Sequence, residues 1–181
     1  HLESKGAAMV QAGAADGAAL RRAVEGMDLV FHLAGYLTAG SPFGAENGAT
    51  DEEWSRYKTI NVDFTQAMLA ASLAAGAGRF VFVSSTAVYD LDAPVPTRED
   101  APLRPLSIYG RSKLLAEEKV RAYQEQGLAT TIVRPPITYG PGDRYFTPLA
   151  LRLARLPLLP LINGGRNSLD LVFAGDVAEL M

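Results

Sequence analysis

Three stretches of the chain are almost unbroken apolar runs, and the segments between them carry apolar residues at three- and four-residue spacing. The runs are Met27 to Gly35, Gly78 to Ser85, and Ala129 to Arg134, the last stopped by Pro135-Pro136. Apolarity that is continuous rather than alternating is what strands covered by helices on both faces of a parallel sheet display. Asp16 to Val24, Glu52 to Ala75 and Ser107 to Gln126, rich in Ala, Leu, Glu, Arg and Lys, predict helices. Strand and helix therefore alternate. That order predicts right-handed crossovers and a doubly wound α/β fold with a parallel sheet, including a leading strand near Ala8 to Gln11. After Gly142 the texture becomes Leu-, Arg- and Pro-rich, and Ser168 to Phe173 then alternates like one more strand. Residues 1–140 thus read as one domain and 141–181 as the start of a small appended region. Ala-rich stretches near 12–19 and 67–77 are good helix formers, not repeats.

Composition narrows the function classes. The net charge of -3 leaves no basic surplus for a nucleic-acid backbone, and the 17 Lys and Arg are scattered, so no nucleic acid partner is expected. The chain has no cysteine, which excludes disulfides, thiolate zinc sites and cysteine nucleophiles and fits the reducing cytoplasmic compartment. The most apolar stretch, Leu149 to Ile162, is broken by Arg152, Arg155, Pro157 and Pro160 and is shorter than the roughly 20 residues of a spanning helix. No membrane contact is expected. The start, His1 to Lys5, lacks both an initiator Met and a signal-peptide profile. Asp176 to Met181 reads as the opening of a helix with Asp176 near its N-cap. Both ends are expected to lie inside a longer chain.

The chemistry gathers at Tyr109-Gly110-Arg111-Ser112-Lys113, where Tyr109 and Lys113 are four apart and share one face of the predicted helix. An ammonium near a phenol favours the phenolate and lowers a pKa that is about 10 when unperturbed, toward the range useful for proton exchange. Alone, a Tyr-x-x-x-Lys spacing is a weak signal. Its context is stronger, because Phe80 to Tyr89 is a strand that delivers the hydroxyls Ser84, Ser85 and Thr86 to its C-terminal edge, where ligands bind in open α/β sheets. No second His or carboxylate stands at ligand spacing from His32, so no metal is expected and His32 reads as a half-buried strand histidine.

These motifs, taken in order with Phe31-His32-Leu33-Ala34-Gly35, Asn61-Val62-x-x-Thr65 and Arg134 to Asp143, resemble the extended short-chain dehydrogenase/reductase family, which includes NAD-dependent epimerases and dehydratases and 3β-hydroxysteroid-dehydrogenase-like enzymes. The resemblance runs from about Val10 to Met181. It implies a Rossmann-like NAD(P)-binding domain followed by a substrate-binding region. It implies Tyr109 as acid/base and Lys113 as the residue that orients the ribose and lowers the Tyr pKa. Ser85 would polarise the substrate oxygen, with Thr86 as the other candidate. Asn61 would either order groups near the active site or make a local helix hydrogen bond. Leu33, Ala34 and Gly35 would pass beneath the adenine ribose, and Pro135 and Ile137 would border the nicotinamide. The cofactor is NAD or NADP.

Two departures from the family pattern matter. Its acidic adenine contact is Gly13 here, although Asp16 is kept, and no Gly-rich turn precedes the first helix to seat a pyrophosphate. Gly35 and Gly40 follow a strand, yet Tyr36-Leu37-Thr38 and Ser41-Pro42 do not open a helix. The resemblance therefore implies a first β-α-β unit of roughly 50 to 60 residues missing from this chain. Thr86-Ala87 stands where dehydratases of the family carry Asp-Glu, and Ile137 where sugar-nucleotide epimerases usually carry Asn. Gly140 to Asp143, Asn163 to Asn167 and Asp170 to Phe173 resemble the steroid-dehydrogenase and dihydroflavonol-reductase branches. The expected reaction is oxidoreduction of a secondary alcohol or ketone, a small-molecule substrate. The alternatives are a sugar-nucleotide epimerase that keeps its NAD, and a non-catalytic NAD(P)-binding regulator. Arg144 and Arg166 would bind a substrate diphosphate or simply be solvated. The helices at 52–75 and 107–126 resemble a homodimer interface.

Overall fold

The computed structural model describes residues 5–38, 50–158, 162–166 and 168–181. Gly40, Ser41, Pro42, Pro160 and Asn167 of the sequence reading lie outside the described residues, as does the Ile162 side chain. In chain order the main elements are α1 (Gly17–Val24), β1 (Leu29–His32), α2 (Asp51–Tyr57), a π-helical segment (Lys58–Asp63), α3 (Phe64–Ala75), β2 (Arg79–Val83), α4 (Ile108–Glu125), β3 (Thr130–Val133), β4 (Ile137–Tyr139), α5 (Phe146–Leu153), β5 (Leu171–Phe173) and α6 (Ala174–Leu180).

The strands β1, β2 and β3 form a parallel sheet in that spatial order, with Val30 opposite Phe80 and Phe80 opposite Thr130. Right-handed crossovers in a sheet that grows one way put the connecting helices on a single face. Burial agrees: Val30 and His32 are buried, whereas Leu29 and Phe31, pointing the other way, are 50% and 44% exposed. The expectation of cover on both faces holds on one face only among the described residues. The core lies on that face, where Leu20, Val24, Leu69, Phe80, Phe82, Ala116, Val120 and Leu128 meet.

Local chemistry sets the helix starts. Asp16, Thr50 and Ser107 each accept a hydrogen bond from a backbone N–H three residues on, satisfying donors that a first turn leaves free. Asp16, whose role the sequence left open, is therefore the cap of α1. Asp143 does the same for α5, accepting from the Tyr145, Phe146 and Thr147 amides. The expected helix at 52–75 is interrupted by the π-helical turn, whose end is marked by the Phe64 N–H bonding to the Thr59 carbonyl.

Three details differ from expectation. No strand forms at Ala8 to Gln11, where Met9 and Val10 are 63% and 50% exposed. A strand is defined by its ladder, and no described strand pairs with this segment. Second, Ile137–Tyr139 adds a strand the sequence did not announce, pairing in parallel with Leu171–Phe173. Third, α6 begins at Ala174 with Phe173 at its cap position, so Asp176 lies in the first turn instead of at the N-cap. The sheet centre predicts its own test. Phe82 is fully buried between His32 and the helix layer, so Phe82→Ala should cost about 3–5 kcal/mol in denaturant unfolding; a loss below about 1 kcal/mol would mean that this layer is not packed as described.

Candidate functional site

The C-terminal ends of β1 and β2 converge with the first turns of α4. Ser107 caps α4 through the Gly110 N–H at 3.0 Å, which fixes Tyr109 in the first turn. Gly110 then lets the helix press against the turn after β2: a Cβ there would overlap the Ala87 carbonyl oxygen and stand 2.9 Å from the Pro105 Cβ. The contact brings Tyr109 to the hydroxyl-bearing turn, and the Ser85 hydroxyl interacts with the phenol. Ser85 also caps its own turn by accepting from the Ala87 N–H at 3.1 Å. Thr86 is exposed on that turn, and its N–H donates to the Pro135 carbonyl at 3.1 Å, tying the ends of β2 and β3 together.

Lys113, one helical turn on, is only 3% exposed. Its Nζ donates to the Val83 carbonyl at 2.9 Å and lies 5.0 Å from the Phe82 ring centre. Burial pulls the ammonium down to about 8, against the Glu117 carboxylate, which favours the charged form. A Cβ on Gly35 would sit 3.1 Å from this Nζ, so glycine leaves the space in which the ammonium lies. The phenol behaves differently from expectation. Burial raises the Tyr109 pKa above its ordinary value, the Ser85 hydroxyl works against this, and the neighbouring Tyr57 adds to it. The ammonium is committed to Val83, so desolvation of the phenolate wins.

Asn61 lies in the π-helical turn, fully buried. Its Oδ1 accepts from the Tyr36 N–H at 2.6 Å, and its Nδ2 donates to the Tyr36 carbonyl at 3.1 Å and to Ser112 Oγ at 2.8 Å. Ser112 Oγ donates in turn to the Tyr109 carbonyl at 2.7 Å. These bonds reach residues 25 and 51 positions away, so Asn61 ties the chain after Gly35 to the helix that carries Tyr109 and Lys113. The Asn61 carbonyl accepts from Thr65 Oγ1 at 2.8 Å, a bond that a helical Thr commonly makes to the carbonyl four residues back. Thr65 has then spent its proton, so its 2.9 Å contact with His32 requires Nε2–H on the imidazole. His32 is 3% exposed, fully buried and not half-buried, among the rings of Phe64, Phe80 and Phe82. Burial first, and the Lys113 charge second, hold its pKa at about 4.

The structure thus brings Gly35, Asn61, Ser85, Tyr109 and Lys113 together. Leu33 and Ala34 form an exposed shelf beside Gly35 at the end of β1, and Pro135 and Ile137 are half-buried at the end of β3 and in β4. Arg144 and Arg166 are exposed, and among the described residues neither forms an ion pair. Two neighbours escaped the sequence reading. Tyr57 is fully buried, with its ring 5.0 Å from Tyr36 and 6.5 Å from Tyr109. Glu117 is a fully buried carboxylate held by Arg134 and Arg121. Both had a signal, because Tyr57 stands four residues before Asn61 and Glu117 four after Lys113.

Comparison with known proteins gives this arrangement its family. The sequence pattern of the NAD dependent epimerase/dehydratase family matches residues 1–181, and the chain belongs to that family. A 2-alkyl-3-oxoalkanoate reductase of Stenotrophomonas maltophilia (strain K279a) is 31% identical, matching 98% of this chain and 52% of its own length. The N-acetyl-alpha-D-glucosaminyl-diphospho-ditrans,octacis-undecaprenol 4-epimerase of Escherichia coli O157:H7 is 30% identical over 92% of this chain and 48% of its own. Among solved structures, the dTDP-glucose 4,6-dehydratase DesIV of Streptomyces venezuelae, a double mutant with NAD and DAU bound, superposes with a TM-score of 0.73 at 30% identity over 93% of this chain and 51% of that one. The chain spans about half the length of the curated relatives it matches.

The buried imidazole makes stability depend on pH. Its folded pKa of about 4 lies below the ordinary 6.5, so below pH 6.5 the unfolded state binds more protons and stability falls as pH drops toward 4. The full loss is on the order of 3 kcal/mol. Unfolding free energies at pH 7 and pH 4 should therefore differ by that much more in the wild type than in His32→Gln; equal differences would put the titration elsewhere.

Proposed function

We propose that the protein is an NAD(P)-dependent oxidoreductase that interconverts a secondary alcohol and a ketone, with Tyr109 as acid/base and Ser85 stabilising the charge that develops on the substrate oxygen. The observation that carries this reading is the meeting of Tyr109 and Ser85 at the C-terminal end of β2, with the buried Lys113 ammonium one helical turn along α4 and bonded to the end of the same strand. The residues present fit the ribose-binding part of the cofactor site: an amine in a notch that a Cβ on Gly35 would crowd at 3.1 Å, next to an exposed shelf at Leu33 and Ala34 that would pass beneath the adenine ribose. Lys113 would hold the ribose hydroxyls, with Asn61 fixing the floor of the notch and Pro135 and Ile137 bordering the ring. When bound, the cofactor supplies or accepts a hydride at the nicotinamide.

The chain's own residues handle the proton. Burial keeps the phenol protonated, so in ketone reduction Tyr109 has a proton to give to the carbonyl oxygen as charge builds there, and Ser85 donates a hydrogen bond to the same oxygen. In the reverse direction Tyr109 must take the proton, which requires lowering its pKa; Lys113, turned from the Val83 carbonyl toward the ribose and phenol, is the available cation. Thr86, Arg144 and Arg166, all exposed, would meet the rest of the substrate.

The Stenotrophomonas relative, named for reduction of a 3-oxoalkanoate, supports a ketone substrate, as does Thr86-Ala87 after Ser85. A second reading, a sugar-nucleotide epimerase, is favoured by the 30% identity to the Escherichia coli epimerase. Retention of both Tyr109 and Lys113 speaks against a purely regulatory role. We further propose a homodimer built on α2, α3 and α4, checked by sedimentation, and action in the cytoplasm, where reduced NAD(P)H is at hand.

The deciding assay gives the full-length protein NAD(P)H with 3-oxoacyl and steroid ketones, and separately NAD with UDP-sugars. Net NAD(P)H oxidation is the expected result, and sugar interconversion without net cofactor change would favour the second reading. Tyr109→Phe should slow turnover about 10²- to 10⁴-fold; undiminished turnover would remove Tyr109 from the mechanism.

A further inference from the structure

Tyr109, Lys113 and Glu117 form one line down α4, each a helical turn from the next. Glu117 is the least expected of the three, a carboxylate with no solvent exposure. Both its oxygens are engaged. Arg134 Nε donates to Oε1 at 2.8 Å and Arg134 Nη2 to Oε2 at 2.7 Å, while Arg121 Nη2 reaches Oε2 at 2.8 Å. Burial alone would raise the Glu117 pKa, but the Arg134 hydrogen bonds, with Ser84 and the charges of Arg134 and Arg121, hold it below the ordinary value. Arg134 spends its remaining nitrogen on the turn after β2 and the loop beyond: Nη1 donates to the Tyr89 hydroxyl at 2.7 Å and to the Glu99 carbonyl at 3.0 Å. Its guanidinium also lies 4.9 Å from the centre of the Tyr89 ring.

A buried ion pair is weak evidence for stability, since an apolar pair of similar volume often serves as well or better. This pair stands where it touches both halves of the candidate site. Glu117 stands one turn along α4 from Lys113, whose ammonium its charge favours, and the guanidinium grips Tyr89, four residues beyond Ser85. We infer that Glu117 and Arg134 act together as positioning residues for proton transfer, Glu117 keeping Lys113 charged and in place and Arg134 fixing the Ser85 turn against α4. The inference rests on the reading of Tyr109, Lys113 and Ser85 given above.

The other groups that face Lys113 cannot take over this role. His32, from β1, is held neutral and is placed to disfavour a second charge. Tyr57, from α2, faces Tyr109 and raises its pKa. From β2 only the Val83 carbonyl reaches the amine, and Arg134, from β3, is a cation. Glu117 is therefore the one anion that favours the charged amine among the described residues. In Glu117→Gln the anion is gone while Arg134 remains, and both changes push the amine toward its neutral form.

The test is the pH dependence of NAD binding to the full-length protein by calorimetry, with the pH profile of kcat/KM alongside. In Glu117→Gln the alkaline loss of NAD affinity should move to lower pH by roughly one unit, with the alkaline limb of kcat/KM moving in parallel. Should that variant fold poorly, the double variant E117M/R134M, which removes the ion pair whole, replaces it and should show a smaller shift in the same direction, because the Arg134 cation leaves with the anion. A folded variant of either kind whose binding limb stays at the wild-type pH would overturn the inference. Loss of the limb shift while Tyr109→Phe remains inactive would remove this inference alone; an active Tyr109→Phe would remove the reading beneath it.

Discussion

A charged amine buried at the edge of a parallel sheet is the constraint around which this molecule is arranged. Lys113 is 3% exposed, and a lone ammonium at that depth would simply lose its proton. Its surroundings oppose this. The Val83 carbonyl takes one of its hydrogens, the missing side chain of Gly35 leaves it space, and the Glu117 carboxylate offsets part of the desolvation. The result is an amine poised at about 8, within reach of a change of charge near neutral pH. Gly110 belongs to the same arrangement, because without the close approach of α4 to Ala87 the amine would not reach the strand ends.

The polar groups behind the site form a connected frame. His32 donates to Thr65, Thr65 to the Asn61 carbonyl, Asn61 to Tyr36 and Ser112, and Ser112 to the Tyr109 carbonyl. Asn61 Nδ2 donates to two acceptors and every other donor in this chain to one, which fixes the imidazole tautomer and the orientation of the Asn61 amide. On the other side, Arg134 joins β3, α4 and the turn after β2 through Glu117 and Tyr89. Tyr109 and Ser85 are thus held by two networks, both anchored on α4.

Much of this was legible in the sequence because it follows from period. Apolar runs gave away β1, β2 and β3, and three- and four-residue apolar spacing gave away the helices at 16–24, 52–75 and 107–126. The ordered motifs around Tyr109 and Ser85 are enough to identify the family. What was missed depends on partners remote in sequence. Ala8 to Gln11 has strand-like composition but no ladder, and Ile137–Tyr139 is a strand only because Leu171–Phe173 lies beside it. The direction of the Tyr109 shift turns on where the Lys113 amine points, which spacing cannot say. The burial of Glu117 turns on Arg134, 17 residues away. The four-residue interval from Tyr109 through Lys113 was read one step short.

The most direct test of this account is the titration of Lys113 itself, followed by NMR on selectively labelled lysine side chains, with Lys113→Met to assign the signal. The buried amine should titrate near 8, well below the ordinary 10.5, and apart from the exposed lysines. A Lys113 signal that titrates with the others near 10.5 would mean that the ammonium is solvated, and the arrangement of Gly35, Val83 and Glu117 around it would have to be abandoned.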